Sequence, residues 1–323
     1  MSQWAPSTGP DVAAGRSSLL RRIRAYFDAA GVLEVDTPAL APSAVSDIHI
    51  ESLEVSSRLA PTPLYLNTSP EYCMKRLLAA GYPDIVSIAR VFRDGESGAR
   101  HQMEFTLIEW YRRDMRLDDI VDDTLAVIAA ALERPELVRD ATIVDYRDAF
   151  QRAVGIDPLS TTPDVLAEIA GAGKDLRDVL GNRIDDWLDL VLAAHVAPTF
   201  TADGLTVLRH YPASQAALAR ICPGDNAVAD RFEVFYGELE LANGYVELTD
   251  ATVQANRFAA DQAARNERGL PQRPIDSRLL DALDSGLPEC AGVAMGLERL
   301  QMVGDEVDDI RSVIAFEFEA YHD

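Results

Sequence analysis

Two arginines far apart in the chain are the residues whose surroundings point most directly to chemistry. Arg93 stands in residues 90–96, where a predicted strand enters a polar loop. Arg299 stands in residues 292–300, just past a glycine-rich strand and at the start of a predicted helix. A guanidinium group never loses its charge and offers a planar fork of donors to phosphate oxygens. Two such groups, fixed at separate places in a fold, predict a site that clamps a polyphosphate.

The segment around Arg93 has to position that side chain, and its pattern predicts two strands joined by a loop. Residues 86–93 form the first strand, residues 94–102 the polar loop and residues 104–112 the return strand. Side chains alternate across a strand, so Glu109 and Tyr111 share one otherwise apolar face. A buried carboxylate is costly unless it is paired. A bound ligand is one explanation for this acid, and a solvated edge strand is the other.

A second helix is predicted from the segment Ser69–Pro70–Glu71 to Gly81. Ser69 is the N-cap, Pro70 takes the first helical position, and Glu71 faces the positive end of the helix dipole. Complementation of the dipole explains Glu71 without any ligand. The functional alternative is a carboxylate at the edge of a pocket that receives an ammonium group.

Residues 231–250 are predicted to form a hairpin that carries further acids. Glu233 and Glu240 would lie on its adjacent strands, and oxygen ligands of this kind suit Mg²⁺ that is shared with substrate phosphates. Three more polar residues share one face of the second strand: Asn243, Tyr245 and Glu247. Glu240 has the opposite parity, so a bulge in residues 242–244 is expected to change the register.

The composition limits the kinds of partner. The 323 residues include 53 Asp and Glu against 30 Lys and Arg, which gives a formal net charge of −23. Such an acidic surface repels nucleic acid and anionic membranes. Three scattered cysteines fit a reduced cytoplasm, and we find neither a signal peptide nor a run of ~20 apolar residues. We therefore expect a cytoplasmic location and no membrane partner.

Helical periodicity dominates two other regions. Residues 18–30 are predicted to form a helix that precedes a short strand, residues 32–38, which a proline ends. Apolar residues at helical spacing recur from Leu117 to about residue 190, broken by prolines and glycines. We interpret residues 115–205 as a helical insertion that carries no chemistry.

Taken together, these segments resemble the three signature motifs of class II aminoacyl-tRNA synthetases. The strand–loop–strand around Arg93, the hairpin of Glu240 and the terminal segment 296–300 occur in the order of that family. The resemblance is closest to the lysyl branch and spans nearly the whole chain. It implies an α+β catalytic domain, residues 17–323, with an antiparallel sheet flanked by helices, after a flexible N-terminus, residues 1–16. It also implies a homodimer, because a helix followed by a proline-ended strand begins the family's dimer-forming motif.

Within the lysyl branch, the chain is similar to the truncated paralogues that ligate (R)-β-lysine to elongation factor P. Lysyl-tRNA synthetases carry an N-terminal anticodon-binding barrel, for which the residues before the first motif leave no room, so no anticodon reading of tRNA is expected. The segments 109–112, 211–215 and 240–244 carry this closer likeness. In this group Ala294 replaces a glycine of the synthetases. Its methyl group would reshape the floor under the amino-acid backbone and favour β-lysine.

The resemblance implies ATP-dependent activation of (R)-β-lysine, or of lysine, as an aminoacyl-adenylate, followed by its transfer to a lysine side chain of elongation factor P. No enzyme nucleophile is required, because positioning and charge neutralisation carry such transfers. Arg93, holding the α-phosphate and the incoming carboxylate, and Arg299, holding the γ-phosphate, would be the catalytic residues. ATP and Mg²⁺ are the implied cofactors, with Glu233 and Glu240 as metal ligands.

The remaining implied contacts divide between the nucleotide and the amino acid. Those with ATP are Arg93, Asp94, Gly95, Glu96, Gln102, Glu240, Leu241, Gly296 and Arg299. Those with the amino acid are Ser69, Pro70, Glu71, Glu109, Tyr111, Asn243, Tyr245, Glu247 and Ala294. In the second set, Glu109, Glu247 and Tyr111 would hold the side-chain ammonium. Glu71 would take the other amine.

The chain departs from the family pattern next to Arg93. The second motif of the family has a glutamate for the adenine amino group where this chain has Gly95, with Glu96 one residue later. A shifted loop would let Glu96 serve. The asparagine that the family has after His101 is Gln102 here. Two alternatives remain open: a reduced lysyl-tRNA synthetase that acts on tRNA, and a non-catalytic regulatory paralogue, which Gly95 favours.

Overall fold

The computed structural model describes residues 4–318, and all element bounds refer to that range. The strands are β1 Leu33–Glu34, β2 Leu40–Ala41, β3 Glu54–Val55, β4 Leu64–Leu66, β5 Ile85–Phe92, β6 Glu104–Arg113, β7 Thr142–Asp145, β8 Leu205–Arg209, β9 Arg231–Tyr236, β10 Leu239–Val246 and β11 Cys290–Gly296. The α-helices are α1 Pro10–Ala29, α2 Glu71–Ala79, α3 Leu117–Leu132, α4 Glu136–Arg139, α5 Tyr146–Val154, α6 Pro163–Ile169, α7 Lys174–Leu180, α8 Ile184–Val191, α9 Ala251–Glu267, α10 Ser277–Asp284 and α11 Leu297–Gly304. A π-helical turn, Leu192–Val196, and three 3₁₀ turns, Ala197–Thr199, Ala213–Gln215 and Ile310–Ser312, complete the helical segments.

An eight-stranded sheet lies at the centre of the molecule. Its strand order is β1-β5-β6-β11-β10-β9-β8-β7. The inner pairs are antiparallel, and only the two edge pairs, β1 with β5 and β7 with β8, are parallel. A second sheet of three short strands has the order β2-β4-β3. The predicted α+β arrangement, an antiparallel sheet flanked by helices, is confirmed.

The alternation of side chains along β6 explains why one face of the sheet is core and the other is site. Ile108 and Trp110 are fully buried among residues of α1 and α3, and the Trp110 ring lies 5.4 Å from that of Phe27. Glu109 and Tyr111 point to the opposite face, where they line a cavity. Because successive side chains alternate, the apolar packing under β6 fixes the direction of both polar groups above it.

Helix α1 begins earlier than the sequence predicts. It starts at Pro10, with Gly9 as N-cap, whereas the pattern predicted a start at residue 18. Residues 10–16, assigned to a flexible N-terminus, therefore form its first turns, and Arg16 lies 2.9 Å from the buried Glu298. A proline in the first helical position is favourable there, a signal that the apolar periodicity alone did not give. Residues 1–3 of that predicted N-terminus and residues 319–323 of the predicted domain lie outside the described residues.

The region from α3 to β8 is divided between two hydrophobic clusters. Helix α3 belongs to the main core, and strand β7 extends the edge of the central sheet, which the helical prediction did not include. Helices α5, α6 and α8 pack in a separate cluster with Tyr211 and Phe235. The proposed insertion at residues 115–205 remains a prediction. Among the described helices, none is long and apolar enough to span a bilayer.

Candidate active site

The register of the four central strands brings the predicted site residues into two parallel rows. From β9 to β6, the first row is Glu233, Asn243, Ala294 and Glu109. The second row is Arg231, Tyr245, Gly292 and Tyr111. Residues that are paired across neighbouring strands point to the same face, so each row forms a continuous line of side chains. Segments separated by more than a hundred residues in sequence thus meet on one surface.

A cavity of about 1140 Å³ lies over these rows. The predicted site residues that line it are Ser69, Glu71, Arg93, Glu96, Gln102, Glu109, Tyr111, Glu233, Glu240, Leu241, Asn243, Tyr245, Glu247, Ala294, Gly296 and Arg299. Three others, Pro70, Asp94 and Gly95, adjoin the wall without lining it. The cavity also reaches α8, where Asp185, Asp186 and Asp189 line it. This contribution was not expected from a region interpreted as carrying no chemistry.

At one end of the cavity, the Glu109 carboxylate is held by two neutral donors. The Ser69 hydroxyl donates to Oε2 at 2.6 Å, and the Tyr111 hydroxyl donates to Oε1 at 2.8 Å. Ser69 Oγ also accepts the backbone N–H of Glu71 at 2.9 Å. The N-cap of α2 is nevertheless Pro70 and its first helical residue is Glu71, each one residue later than the sequence predicted. Burial, together with repulsion from Glu71, raises the pKa of Glu109 to about 8. The group is held in position, and residues 4–318 place no cation within ion-pair distance of it.

Two further carboxylates share a buried cation beside Glu109. The Lys75 ammonium lies 2.7 Å from Glu71 Oε1 and 2.5 Å from Glu247 Oε2. Tyr245 donates its hydroxyl to Glu71 at 2.7 Å. Burial raises the pKa of Glu247 to about 8 even though Lys75 opposes the shift. Among the described residues, Glu247 Oε1 has no hydrogen-bond partner. We refer to these four charged residues, Glu71, Lys75, Glu109 and Glu247, as the amine pocket.

Gly292 lies in the middle of the amine pocket and leaves room that no other residue would leave. A Cβ atom there would stand 2.4 Å from Tyr111 Cε1 and 2.5 Å from Glu247 Oε1. Both distances are far inside van der Waals contact, so a side chain would push the two groups apart. The sequence places this glycine in the segment 292–300 but does not reveal its role. The reason for it appears only when β11 is placed between β6 and β10.

The opposite end of the cavity carries the two arginines. The Arg93 guanidinium stacks over the Phe105 ring at 5.0 Å, and its Nη1 is 3.5 Å from Glu96 Oε1. Its buried Nε finds no partner within residues 4–318. Arg299, in the first turn of α11, donates from Nη1 to the Glu240 backbone oxygen at 3.0 Å. Both side chains line the one cavity, so donors from both motifs face the same space.

His101 accompanies Arg299 and was not predicted as a site residue. Its Nε2 lies 2.7 Å from Arg299 Nη2. Burial and the charge of Arg299 lower the pKa of His101. A neutral imidazole can accept this bond, so His101 holds the guanidinium in place. We call Arg93, Arg299, Glu233 and Glu240 the phosphate end of the cavity.

The hairpin of β9 and β10 brings its two acids to one face by a bulge. The irregularity falls between Glu240 and Ala242, at Leu241, and so one residue before the predicted segment 242–244. The Glu233 carboxylate already has a cationic partner, because its Oε1 accepts a hydrogen bond from Arg231 at 2.6 Å. Glu240 Oε2 accepts from Arg299 at 3.2 Å. Burial and the neighbouring Glu240 raise the pKa of Glu233 to about 7.

This acid pair fits a divalent cation in its donor chemistry. Both side chains offer carboxylate oxygens to the cavity, and each acid keeps one oxygen that the bonds to Arg231 and Arg299 do not use. Repulsion between the acids is the electrostatic condition that a bound cation relieves. Mg²⁺ is commonly held by one or two carboxylates together with substrate phosphates.

The loop after Arg93 accommodates Gly95, which stands where the family pattern has a glutamate. Gly95 has φ of +78°, in the region that favours glycine, and a Cβ there would meet nothing within 4 Å. The following Glu96 turns its side chain to the cavity, whereas Gly95 does not line it. Gln102 is buried and also lines the wall. The acid that the sequence offers as a substitute thus faces the same space as Arg93.

Comparison with known proteins gives one family. Residues 10–319 match the family model described as tRNA synthetases class II (D, K and N). A relative from Pseudoalteromonas translucida, named Elongation factor P–(R)-beta-lysine ligase, is 41% identical over 323 residues, with 97% of each chain covered. Relatives with the same name from Klebsiella pneumoniae and Salmonella dublin are 43% identical over 322 residues, again with 97% of each chain covered.

Proposed function

Because the chain belongs to the class II tRNA synthetase family of the D, K and N type, we propose that it is an AMP-forming amino-acid ligase that modifies a protein. It activates (R)-β-lysine with ATP and transfers it to a lysine side chain of elongation factor P. The relatives that bear this name cover 97% of the chain and support the proposal. As an enzyme of the translation apparatus, it would work in the cytoplasm.

The amine pocket is the observation that carries the substrate class. Three carboxylates and one internal ammonium leave a net charge of −2 when all four groups are ionised. A diamino acid brings two ammonium groups to this space, so every buried charge gains a partner. A monoamino acid would leave one carboxylate unpaired, and an unpaired buried charge is strongly unfavourable. The pocket therefore favours lysine or its β isomer over apolar amino acids of similar length.

Activation places the substrate carboxylate between the two ends of the cavity. A carboxylate oxygen attacks the α-phosphorus of ATP, the bond to the β-phosphate oxygen breaks, and pyrophosphate leaves. Arg93 would hold the α-phosphate and the carboxylate together, and Arg299 would neutralise the γ-phosphate. Glu233 and Glu240 would hold Mg²⁺, which supplies charge neutralisation at the phosphates when bound. The chain's own groups orient both reactants and exclude water.

Transfer needs no nucleophile from the enzyme. The neutral amine of the acceptor lysine attacks the carbonyl carbon of the adenylate, the bond to AMP breaks, and one amine proton passes to solvent. Throughout this step the amine pocket would keep the substrate's own ammonium groups charged and therefore non-nucleophilic. This protection would limit each transfer to one unit of the diamino acid.

Preference for the β isomer would come from Ala294. Its methyl group lies in the first row, between Asn243 and Glu109, and lines the cavity. Moving the amine from the α to the β carbon shifts the substrate backbone by about one bond, and a methyl group in a packed wall discriminates by about 1–3 kcal/mol. Ala294→Gly is expected to improve α-lysine relative to (R)-β-lysine.

The direct test is a pair of assays on the purified protein. Amino-acid-dependent ATP–pyrophosphate exchange should occur with (R)-β-lysine and more weakly with α-lysine. Mass spectrometry of elongation factor P should then show one added lysyl unit on a lysine side chain. Efficient charging of tRNA, with the acceptor protein unmodified, would replace the proposal by a reduced synthetase. Absence of exchange with either isomer would favour a regulatory paralogue.

A homodimer is a further part of the proposal. Strand β1 lies at an edge of the central sheet, and Leu33 on it is 45% exposed. A surface groove that adjoins this strand is lined by Phe27, Val32 and Val86 together with the charged residues Arg24, Asp28 and Glu34. An unpaired strand edge with an exposed leucine next to a groove supports pairing with a second copy. Sedimentation equilibrium should give twice the chain mass, and Leu33→Asp should reduce it to the mass of one chain.

A further inference from the structure

The lysines of this chain are rare and differ sharply in their surroundings. Of its 30 basic residues, only Lys75 and Lys174 are lysines, and the others are arginines. The side chain of Lys174 is 83% exposed and pairs with Asp178 on the surface. The side chain of Lys75 is 1% exposed. Arg265 is the other described cation whose side chain is only 1% exposed, and its guanidinium is spread over Pro271, Asp47 and Glu51. In a chain that otherwise uses arginine, a lysine at the equally enclosed position 75 indicates that this position requires an ammonium group.

Geometry supplies the reason for an ammonium group at that position. Lys75 lies one helical turn after Glu71 on α2, and its Nζ is within 2.7 Å of Glu71 and 2.5 Å of Glu247. The ring of Tyr245 covers it, with its centroid 5.6 Å from Nζ. A compact ammonium can contact two carboxylates and a ring face at once, whereas a planar guanidinium is larger and needs a fixed fork of acceptors.

Lys75 does not itself line the cavity, although Glu71, Tyr245 and Glu247 do. It therefore stands behind the groups that would touch a substrate. We propose that Lys75 is a positioning residue of the amine pocket: it holds the carboxylates of Glu71 and Glu247 side by side and sets the pocket's charge to match two ammonium groups of one amino acid. This inference rests on the proposed function and names a residue that acts through its neighbours.

The proposal takes into account the titratable groups that surround Lys75 on each side. Glu71 belongs to its own helix, Glu109 and Tyr111 come from β6, Tyr245 comes from β10 and Glu247 follows that strand. The buried thiol of Cys290 comes from β11, and burial raises its pKa. Both carboxylate neighbours raise the pKa of Lys75 above its ordinary value. Lys75 is in direct contact with two of these acids and stays charged while they titrate.

Removal of the ammonium would therefore leave three acids to repel one another. With Lys75 replaced by methionine, the carboxyl of Glu247 would keep its proton to a higher pH, because burial would act on it without an opposing charge. At neutral pH the pocket would then receive two ammonium groups with fewer ionised carboxylates. Binding of the amino acid would weaken, while binding of ATP at the other end would not change.

The variants Lys75→Met and Lys174→Met make a matched pair, since they remove the only two lysines. In ATP–pyrophosphate exchange, Lys75→Met should raise the KM for (R)-β-lysine about tenfold or more, and the KM for ATP should stay within about twofold. The acidic limb of its kcat/KM profile for the amino acid should move up by about one pH unit. Lys174→Met should match the parent in all three readouts. A folded Lys75→Met protein with unchanged amino-acid KM and pH limb would overturn the proposal, and so would equal losses for both substrates.

If Lys75→Met does not fold, a measurement on the unaltered protein tests the positioning role of Lys75. With ¹⁵N at lysine Nζ the chain gives two signals, which Lys174→Met assigns. The Lys75 signal should remain that of an ammonium above pH ~10.4, the ordinary lysine pKa, and should shift when (R)-β-lysine is added but not when ATP is added. Deprotonation below that pH, or no response to the amino acid, would refute the role of Lys75. Failure of the unaltered enzyme to exchange with any diamino acid would instead refute the proposed function itself.

Discussion

The two ends of the cavity hold their charges in opposite ways. In the amine pocket, Glu109 and Glu247 are almost completely buried, and each has a fixed partner in Ser69, Tyr111 or Lys75. At the phosphate end, Arg93 and Arg299 keep about a fifth to a quarter of their side-chain surface exposed. Their contacts with carboxylates are 3.2–3.5 Å long, and the one short contact, from Arg299 to His101, is with a neutral ring. One end is built before the substrate arrives, and the other has donors that are ready to change partners.

This difference follows from what each end must recognise. An amino acid is selected by the number and position of its amines, so its pocket has to be rigid and its charge fixed. A triphosphate changes shape and charge as pyrophosphate leaves, so its ligands have to follow it. Electrostatic stabilisation of a developing charge is most effective where the donors are already close. The predictions below test whether selectivity and rate are separated along the cavity in this way.

The largest effect is expected at the phosphate end. Arg93→Ala and Arg299→Ala should each lower kcat for ATP–pyrophosphate exchange about 10²–10³-fold, the range found when one charge-stabilising donor is removed. Affinity for the amino acid should change little with Arg299→Ala. Arg139→Ala, at an exposed pair with Asp140, serves as the control. Retention of turnover by either active-site variant would break the claim that the two arginines act on one nucleotide.

Gly292→Ala should damage the amine pocket by geometry alone. The added methyl group would overlap Tyr111 and Glu247, and overpacking of this kind costs about 1–3 kcal/mol. The KM for the amino acid should rise more than the KM for ATP, and the melting temperature should fall. Gly173→Ala is the matched control, because a Cβ at Gly173 meets nothing within 4 Å. Equal effects from the two substitutions would remove the special role of Gly292.

Charge removal in the amine pocket should have a somewhat smaller effect. A charge-assisted hydrogen bond contributes about 1.5–3 kcal/mol, so Glu247→Gln should raise the KM for (R)-β-lysine by about tenfold or more. Glu109→Gln should act in the same direction. The exposed Glu133→Gln is the control. If Glu247→Gln raised the KM for ATP as strongly as that for the amino acid, the two ends would not be separate.

The pH dependence of substrate binding should also differ between the two ends, with a smaller effect than the substitutions have. Burial raises the pKa of Glu109 and of Glu247 to about 8, so both carboxyls hold protons at lower pH and lose them as the pH rises. The kcat/KM for the amino acid should therefore increase several-fold between about pH 6 and pH 9, and calorimetry in buffers of different ionisation enthalpy should detect proton release on binding. The affinity for ATP should vary less. A flat profile for the amino acid would contradict the raised pKa values.

The same carboxyls have a small effect on stability. Because their pKa is higher in the folded chain than in the unfolded one, they favour the folded state below the ordinary value, and this contribution is lost as the pH rises through about 8. The melting temperature of the empty protein should thus fall between about pH 6 and pH 9. Addition of (R)-β-lysine should offset the fall most at the higher pH, as thermal melts can show. A melting temperature that rises over this interval would contradict the assignment.

Sequence reasoning found the polar residues of both ends but not their support. Glu109 and Glu247 could be predicted because acids on otherwise apolar strands demand an explanation. Gly292 and His101 could not, since their contacts with Tyr111, Glu247 and Arg299 arise only from strand register and loop position. The sequence does carry a signal for Lys75: the chain has only one other lysine, so a lysine here is unusual. The motifs and periodicities alone do not reveal it. Local patterns reveal unusual residues, whereas partners that are distant in sequence require the assembled sheet.

Boundaries were also harder to predict than elements. The start of α1 differs because its first turns are polar and give no apolar periodicity, although Pro10 fits a first helical position. The bulge at Leu241 lies one residue before its predicted place. A glycine in the strand suggested the bulge, but the pairing of Asn243 with Glu233 decides where the extra residue falls. The extra residue of the bulge, and not its place in the sequence, brings Glu240 to the same face as Glu233.

The central claim is that the charge of the amine pocket requires two ammonium groups on the substrate. The most direct test compares ATP–pyrophosphate exchange for (R)-β-lysine with that for 3-aminohexanoate, which lacks the terminal amine, and for 6-aminohexanoate, which lacks the other. We predict robust exchange with (R)-β-lysine and a loss of about 10²-fold or more in kcat/KM with each analogue, since each leaves a buried carboxylate unpaired. Exchange with either analogue at a rate close to that of (R)-β-lysine would contradict the account.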